Sequence, residues 1–483
     1  MPTIRTMARA FSSGELTPEL FGRVDLNKFQ AGLATCRNFI VQPHGPVRNR
    51  TGTQFVKEVG NNALPTRIIS FSYTNTQTFA IELGAGFIRW HTQGATLLYL
   101  PTAWNSSSTY GPNDLVTNGG VTYACITTNT NSAPPSANWR TVAWSNATAY
   151  AIGDIVYSGS TYYYCIAANI NQAPPNATYW YAMPADGTYE IPSPYAAADL
   201  FNIHYVQSAD VLTLVHPNYP PYELRRYGAT NWQLASISFQ PTISAPSSVS
   251  AASGGPGGGT PKTYSYKVTA VSSTNNLDES LQSTSTGTAS SDLTVANNYI
   301  TISWSAVSGA TRYNVYKYSN GLYGYIGQAG GLNFTDTNIT ADISQTPPNL
   351  DTTFATGAGY YPAAVGYFEQ RRAFAGWTLS PQSLIATRSG TEANINYHIP
   401  SVADDRLSLR IAAREASAIR HIVPVQDVIL LTATNEFRMY SSDGNAIAAT
   451  NVTVKPQAYI GANNVQPCVV GNTVLYAASR GGH

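Results

Sequence analysis

A stretch of 35 residues, AWNSSSTYGPNDLVTNGGVTYACITTNTNSAPPSA at 103–137, returns 40 residues later as AWSNATAYAIGDIVYSGSTYYYCIAANINQAPPNA at 143–177, with 15 positions identical. Each copy closes on a tryptophan, Trp139 and Trp180, the second after a one-residue insertion. Two copies are too few for a solenoid, whose units bury their faces only by stacking three or more. The pair therefore reads as two small β modules, 103–141 and 143–182. Their only charges are Asp114, Arg140 and Asp154. Cys125 and Cys165 hold the same place in both copies, which predicts two equivalent small cores rather than a bond between them.

The chain around this repeat is 483 residues long, more than one hydrophobic core usually serves, so several domains are expected. Only 11% of it is charged, where about a quarter is usual. Its 32 Tyr, 29 Pro and 38 Gly favour short aromatic strands and punctuated turns over long helices. The fold class is mainly β. With 27 basic and 26 acidic residues the net charge is +1, which provides no global attraction to nucleic acid or anionic membrane. Residues 1–60 depart from that balance, with eight bases (Arg5, Arg9, Arg23, Lys28, Arg37, Arg48, Arg50, Lys57) against four acids. Four scattered cysteines make neither a disulfide framework nor a CxxC metal site. No signal-peptide core and no run of about 18 apolar residues is found, so the product is expected to fold in a cytoplasm.

A Gly, Pro and Ser linker, SAPSSVSAASGGPGGGTPK, opens a second inserted unit at 242–349. Within it YSYKVTAV alternates over two faces, and Trp304, Tyr313 and Val315 fall on successive strands. This unit resembles a fibronectin type III or immunoglobulin-like β-sandwich, although its YKVTAV strand precedes the Trp strand. The remaining segments, 1–100, 183–241 and 350–483, share a texture of short apolar strands such as DVLTLVHP and VILLTATNEFRMY between polar turns. Such spacing suits a β-propeller-like scaffold. RLSLRIAAREASAIRHI, 406–422, is the best helix candidate, though its alternation also allows strands.

Chemistry-bearing motifs are missing: no P-loop, no GxSxG elbow, no HExxH and no GxGxxG between strand and helix. No catalytic residue, cofactor or metal is assigned. The seven histidines never form a spaced pair, so each reads as a turn or packing residue. Asp404 and Asp405 are adjacent and on a strand would face opposite ways, so a loop cap or a solvated turn is expected rather than the paired acids of a glycosidase. The modules offer aromatic surface instead. Trp104, Tyr110, Tyr123 and Trp139 recur as Trp144, Tyr150, Tyr163 and Trp180, a spacing that resembles small chitin-binding-type carbohydrate modules. That resemblance implies core aromatics beside others that stack on sugars. Trp139, Trp180, Tyr123 and Tyr163 are the candidate glycan contacts, with Asn129, Asn131, Asn169 and Asn171 beside them; the alternative is that all these aromatics are core.

FSSGELTPELFGRVDLNKFQAGLATCRNFIVQPHGPVRNRTGTQFV at 11–56 is similar to the N-terminal signature of the tail nozzle (tail tubular B-type, or stabilisation) proteins of short-tailed phages. IPSPYAAADLFNIHYVQSADVLTLVHPNYPPYELRR at 191–226, YYPAAVGYFEQRRAFAGW at 360–377 and IRHIVPVQDVILLTATNEFRMY at 419–440 also resemble that family. The resemblance implies a non-enzymatic virion protein, made in the host cytoplasm. It implies a homo-hexamer below a tail adaptor protein, beside tail fibres or spikes, through which double-stranded DNA passes without sequence reading. Near-neutral charge fits a conduit, because every phosphate neutralised adds affinity that acts as friction. The basic hairpin around PHGP, with Arg37, Arg48 and Arg50, is the candidate interface with a subunit or adaptor. The family adds further strands after VLYAASRGGH, so either the chain continues beyond His483 or its propeller closes by another route. A glycan-binding or glycan-degrading tailspike is the alternative function. The tandem modules, interrupting the scaffold between Leu100 and Pro184, are expected to stand out as separately folded knobs.

Overall fold

The computed structural model describes residues 7, 9–74, 77–275, 278–412 and 416–479. Arg5 and His483, counted above, lie outside the described residues, as do 413–415 of the helix candidate. Strands take up 44% and helix 3%, so the chain is mainly β, arranged in many small sheets with no closed barrel. The chain divides into two compact units, 1–58 and 59–483.

The first unit holds little regular structure. Gly14–Glu15 pairs in parallel with Gly32–Leu33, a four-residue helix covers Asn27–Gln30, and Phe39–Val41 forms an antiparallel hairpin with Val47–Asn49. The register sets Phe39 opposite Asn49 and Ile40 opposite Arg48. Its turn needs a glycine: Gly45 sits at φ +105, and a Cβ there would lie 2.7 Å from that of Ala10.

In the second unit, four antiparallel sheets follow one another along the chain. The first orders Arg67–Ser72, Thr78–Gly84, Phe87–Thr92 and Glu190–Pro192, so its last strand arrives only after both modules. The others are meanders: from His204–Ser208 to Asn231–Ser236, from Ala364–Phe368 to Leu407–Arg410, and from Ile419–Pro424 to Val452–Ala458. Side-chain alternation explains how they pack. In Val211–His216 every residue is buried. Leu212 and Leu214 join a core with Phe71, Ile81 and Trp90 of the first sheet, while Val215 joins a different core with Phe374 and Trp377 of the third. Arg371–Trp377 repeats the pattern, with Phe374 on that layer and Ala373 and Ala375 on a further core shared with Leu430 and Met439 of the fourth sheet. Burial at every position, with polar residues few among apolar ones, is what strands covered on both faces show.

The unit at 242–349 contains a three-stranded and a four-stranded sheet around one core that includes Trp304, Tyr313 and Val315, as its alternation predicts. The helix candidate at 406–422 is not a helix at either described end: Leu407–Arg410 and Ile419–Pro424 are strands. The alternation of LSLR and the β-branched IRHIV outweigh the helix formers between them.

The tandem modules are not separate knobs. Each has its own small core, with Tyr110, Val116, Tyr123, Cys125 and Trp139 in one and Tyr150, Val156, Cys165 and Trp180 in the other. Their strands, however, are apolar on both sides. Leu115, Ala124, Val142, Ile155 and Tyr164 point the other way and join Trp90, Tyr189 and Trp232 in the large core. Polar contacts reinforce the docking: the Tyr164 hydroxyl donates to the Trp232 carbonyl at 2.8 Å and the Gln233 amide to the Ile152 carbonyl at 2.8 Å. Arg140 of the first module pairs with Asp154 of the second at 2.8 Å, so two of the modules' three charges join the copies to each other.

Candidate functional site

The candidate interface residues lie on or beside the hairpin of the first unit. Arg37, Arg48 and Arg50 are all exposed, and none forms an ion pair among the described residues. Three guanidiniums with free donors, near a rigid turn, present a directional surface for carboxylates or phosphates. Since nothing inside the chain depends on them, replacing Arg48 and Arg50 by Ala is expected to leave unfolding stability within about 0.5 kcal/mol of wild type, as urea denaturation would measure.

The candidate glycan contacts are corrected by the geometry of the modules. Trp139 is 6% exposed, Trp180 3% and Tyr123 8%, and Tyr163 is half-buried against the second small core. Strand pairing puts Trp139 directly opposite Cys125, and Trp180 opposite Cys165, so each closing tryptophan is drawn inward over a buried thiol. Each ring meets a tyrosine edge-on, Tyr110 at 5.3 Å and Tyr150 at 5.2 Å. Each indole N–H is spent on a carbonyl at 2.7 Å, Ser132 or Gln172. A module this small has little else to bury, and core packing takes the rings that sugar stacking needs flat and open. Two of the four amides are engaged, Asn129 donating to the Thr127 carbonyl and Asn169 to the Ala167 carbonyl, both at 2.9 Å, while Asn131 and Asn171 are exposed. Cys125 and Cys165 are free buried thiols in the two equivalent cores, pushed up to about 11 by burial, as their repeat positions predict.

Asp404 and Asp405 have different partners. Asp404 meets Arg388 at 2.6 Å, whereas fully buried Asp405 accepts from the backbone N–H groups of His398 at 2.9 Å and Val402 at 3.0 Å, and from the His398 ring. Burial alone would raise the Asp405 carboxyl, but these hydrogen bonds hold it below the ordinary range. This is a loop cap, as expected from the adjacent acids.

One pairing was not visible in the sequence. His204 and His421, 217 positions apart, stack with ring centroids 4.8 Å apart and 30° between planes. Both are buried. Their Nε2 atoms face the carbonyls of Asn464 at 3.0 Å and Asn463 at 2.8 Å, and Arg420 donates to the next carbonyl, of Ala462, at 2.7 Å. Three consecutive carbonyls of the C-terminal segment are thus held by cationic or imidazole side chains. Burial pushes both imidazoles down, His421 to about 4 with His204 as the next cause.

Among the described residues no group of three or more His, Cys, Asp or Glu is placed to hold a metal, and no helix is long and apolar enough to cross a membrane. No known protein-family model matches the chain, and no curated protein matches it.

Proposed function

We propose that this chain is a structural protein of a short phage tail, the nozzle: a subunit of a hexameric conduit for genome exit, below an adaptor ring and beside fibres or spikes. The observation that carries the reading is the succession of four antiparallel sheets, each sharing an apolar layer with the next. On this reading the sheets are blades of a propeller-like scaffold and the unit at 242–349 is an immunoglobulin-like sandwich inserted between the second and third blades. The first two strands of the second, third and fourth sheets lie within the stretches 191–226, 360–377 and 419–440, whose motifs resemble the nozzle family. Neutral overall charge supports a channel through which double-stranded DNA slides without being gripped. A closed ring is how one kind of subunit encloses a channel. Mass photometry of the purified chain, with particle averaging, tests the proposal. Sixfold rings are expected; a trimer or a persistent monomer would remove the nozzle reading.

A further inference from the structure

Among its described residues the first unit has no apolar core. None of its large hydrophobic side chains is buried among the described residues, and Phe21, Val24, Phe39, Ile40, Phe55 and Val56 are exposed. Phe39 and Ile40 matter most, because consecutive strand residues leave opposite faces of a sheet. At 48% and 44% exposure they place bulky apolar groups on both sides of a two-stranded hairpin. A lone hairpin is marginal in water, and each face of this one sets a bulky apolar side chain beside a polar one, Phe39 with Asn49 and Ile40 with Arg48. It is built to be covered on both sides, which a flat lipid surface cannot do.

Charge identifies the occupant. Residues 1–58 hold 8 of the 27 basic residues and 4 of the 26 acidic ones, leaving 19 against 22 in 59–483. The unit is thus +4 and the rest of the chain −3. Two such units repel each other, while each attracts the remainder of another copy, with Arg37, Arg48 and Arg50 free to take carboxylates bidentately. We propose that residues 7–58 form an arm that docks onto a second copy of this chain. Phe39 and Ile40 enter apolar surfaces on the two sides of the hairpin, and the three arginines, with Arg48 beside Ile40, lie on acidic groups of that copy. The contact is heterologous, one patch against a different one, and repetition of such a contact closes a ring or runs on as a filament. The proposal rests on the ring reading for its biological setting but stands on the hairpin for its chemistry.

Full-length chains grown in light and heavy nitrogen, mixed, allowed to re-equilibrate and treated with a carbodiimide that joins Lys28 or Lys57 to nearby carboxylates, test it. Mixed-isotope links from arm to 59–483, as abundant as same-isotope ones, are expected. Links of one isotope only would mean that the arm folds on its own copy, and arm-to-arm links would contradict the charge argument; either overturns the proposal. In parallel, Phe39→Asp with Ile40→Asp in the full chain should weaken association at least about 30-fold, as loss of a buried anchor does. At a chain concentration low enough for both proteins to be monomeric the unfolding midpoint should not move, since these residues support no core. Undiminished association by the double variant overturns the arm while leaving sixfold rings standing. An arm-dependent assembly of another copy number supports the arm and removes the nozzle. A wild-type chain that stays monomeric removes both.

Discussion

Deletion of residues 103–182 is expected to unfold the surrounding scaffold. Five residues of that stretch, Leu115, Ala124, Val142, Ile155 and Tyr164, are members of the core that holds Trp90, Tyr189 and Trp232. Removing one large buried side chain costs about 2–5 kcal/mol. A domain's whole stability is about 5–15 kcal/mol. Loss of four large members together with the Tyr164 and Gln233 hydrogen bonds therefore exceeds what the fold can spare. Trp232 would be the first casualty: it is fully buried, with Phe71 at 4.9 Å, Phe79 at 5.4 Å and Trp90 at 5.1 Å around it. A deletion joined by a short Gly/Ser linker should be insoluble or lack a cooperative urea transition. The excised 103–182 fragment should show poor amide dispersion by NMR, since Leu115, Ala124, Val142, Ile155 and Tyr164 would face water. A deleted chain that unfolded at the wild-type midpoint would restore the picture of independent knobs.

Acidification is expected to loosen the C-terminal segment through the stacked histidines. The charged groups facing the pair, Arg67 and Arg420, are both cations, so among the described residues a proton on either ring finds no compensating carboxylate there. With His421 held down to about 4 when folded, the unfolded chain takes up its proton first as pH falls. Stability from this group is intact above pH 6.5, declines between 6.5 and about 4, and changes no further below. The loss is about 3 kcal/mol over that window. Urea unfolding of wild type and His421→Gln, at steps from pH 7 to pH 4, isolates the contribution, because glutamine keeps a donor for the Asn463 carbonyl but does not titrate. The variant should lose distinctly less stability on acidification. Parallel profiles would mean that the pair has no part in the acid response.

Much of the fold follows from local pattern. Trp304, Tyr313 and Val315 are legible as core because each sits on an alternating strand, and the equivalence of Cys125 and Cys165 follows from the repeat alone. The hairpin is announced by Pro43-His44-Gly45-Pro46, since glycine is the residue that tolerates that turn. What the sequence concealed has a common cause in distance. The His204–His421 stack joins residues whose local contexts are ordinary, and nothing in either strand signals the other. The docking of the modules did carry a signal: the second faces of TYACI and TYYYCI are mostly apolar, with Ala124 and Ile126 in one and Tyr162, Tyr164 and Ile166 in the other, where strands of a free-standing module would be polar. The aromatic identity of the repeat is compatible with sugar stacking, but the burial of Trp139 and Trp180 follows from how few residues each small core has. At 406–422 the composition favoured a helix while the alternation favoured strands, and tertiary packing of Leu407 and Ile419 in one core decided for strands.

The first sheet of the larger unit has a consequence for synthesis on the ribosome. Strand Phe87–Thr92 takes its outer partner from Glu190–Pro192, with Ile88 opposite Ile191. The intervening chain is made at about 5–20 residues per second, so that edge waits roughly 5–20 s for its neighbour. During that interval unpaired N–H and C=O groups at Phe87, Ile88 and Arg89 are open to any other extended segment, including that of an adjacent nascent chain. The two-residue strand Ala95–Thr96 emerges at once and pairs with His91 and Thr92, shielding the far end of the same edge. The order of translation thus leaves a short and brief opening for mispairing, and both modules must be in place before it shuts.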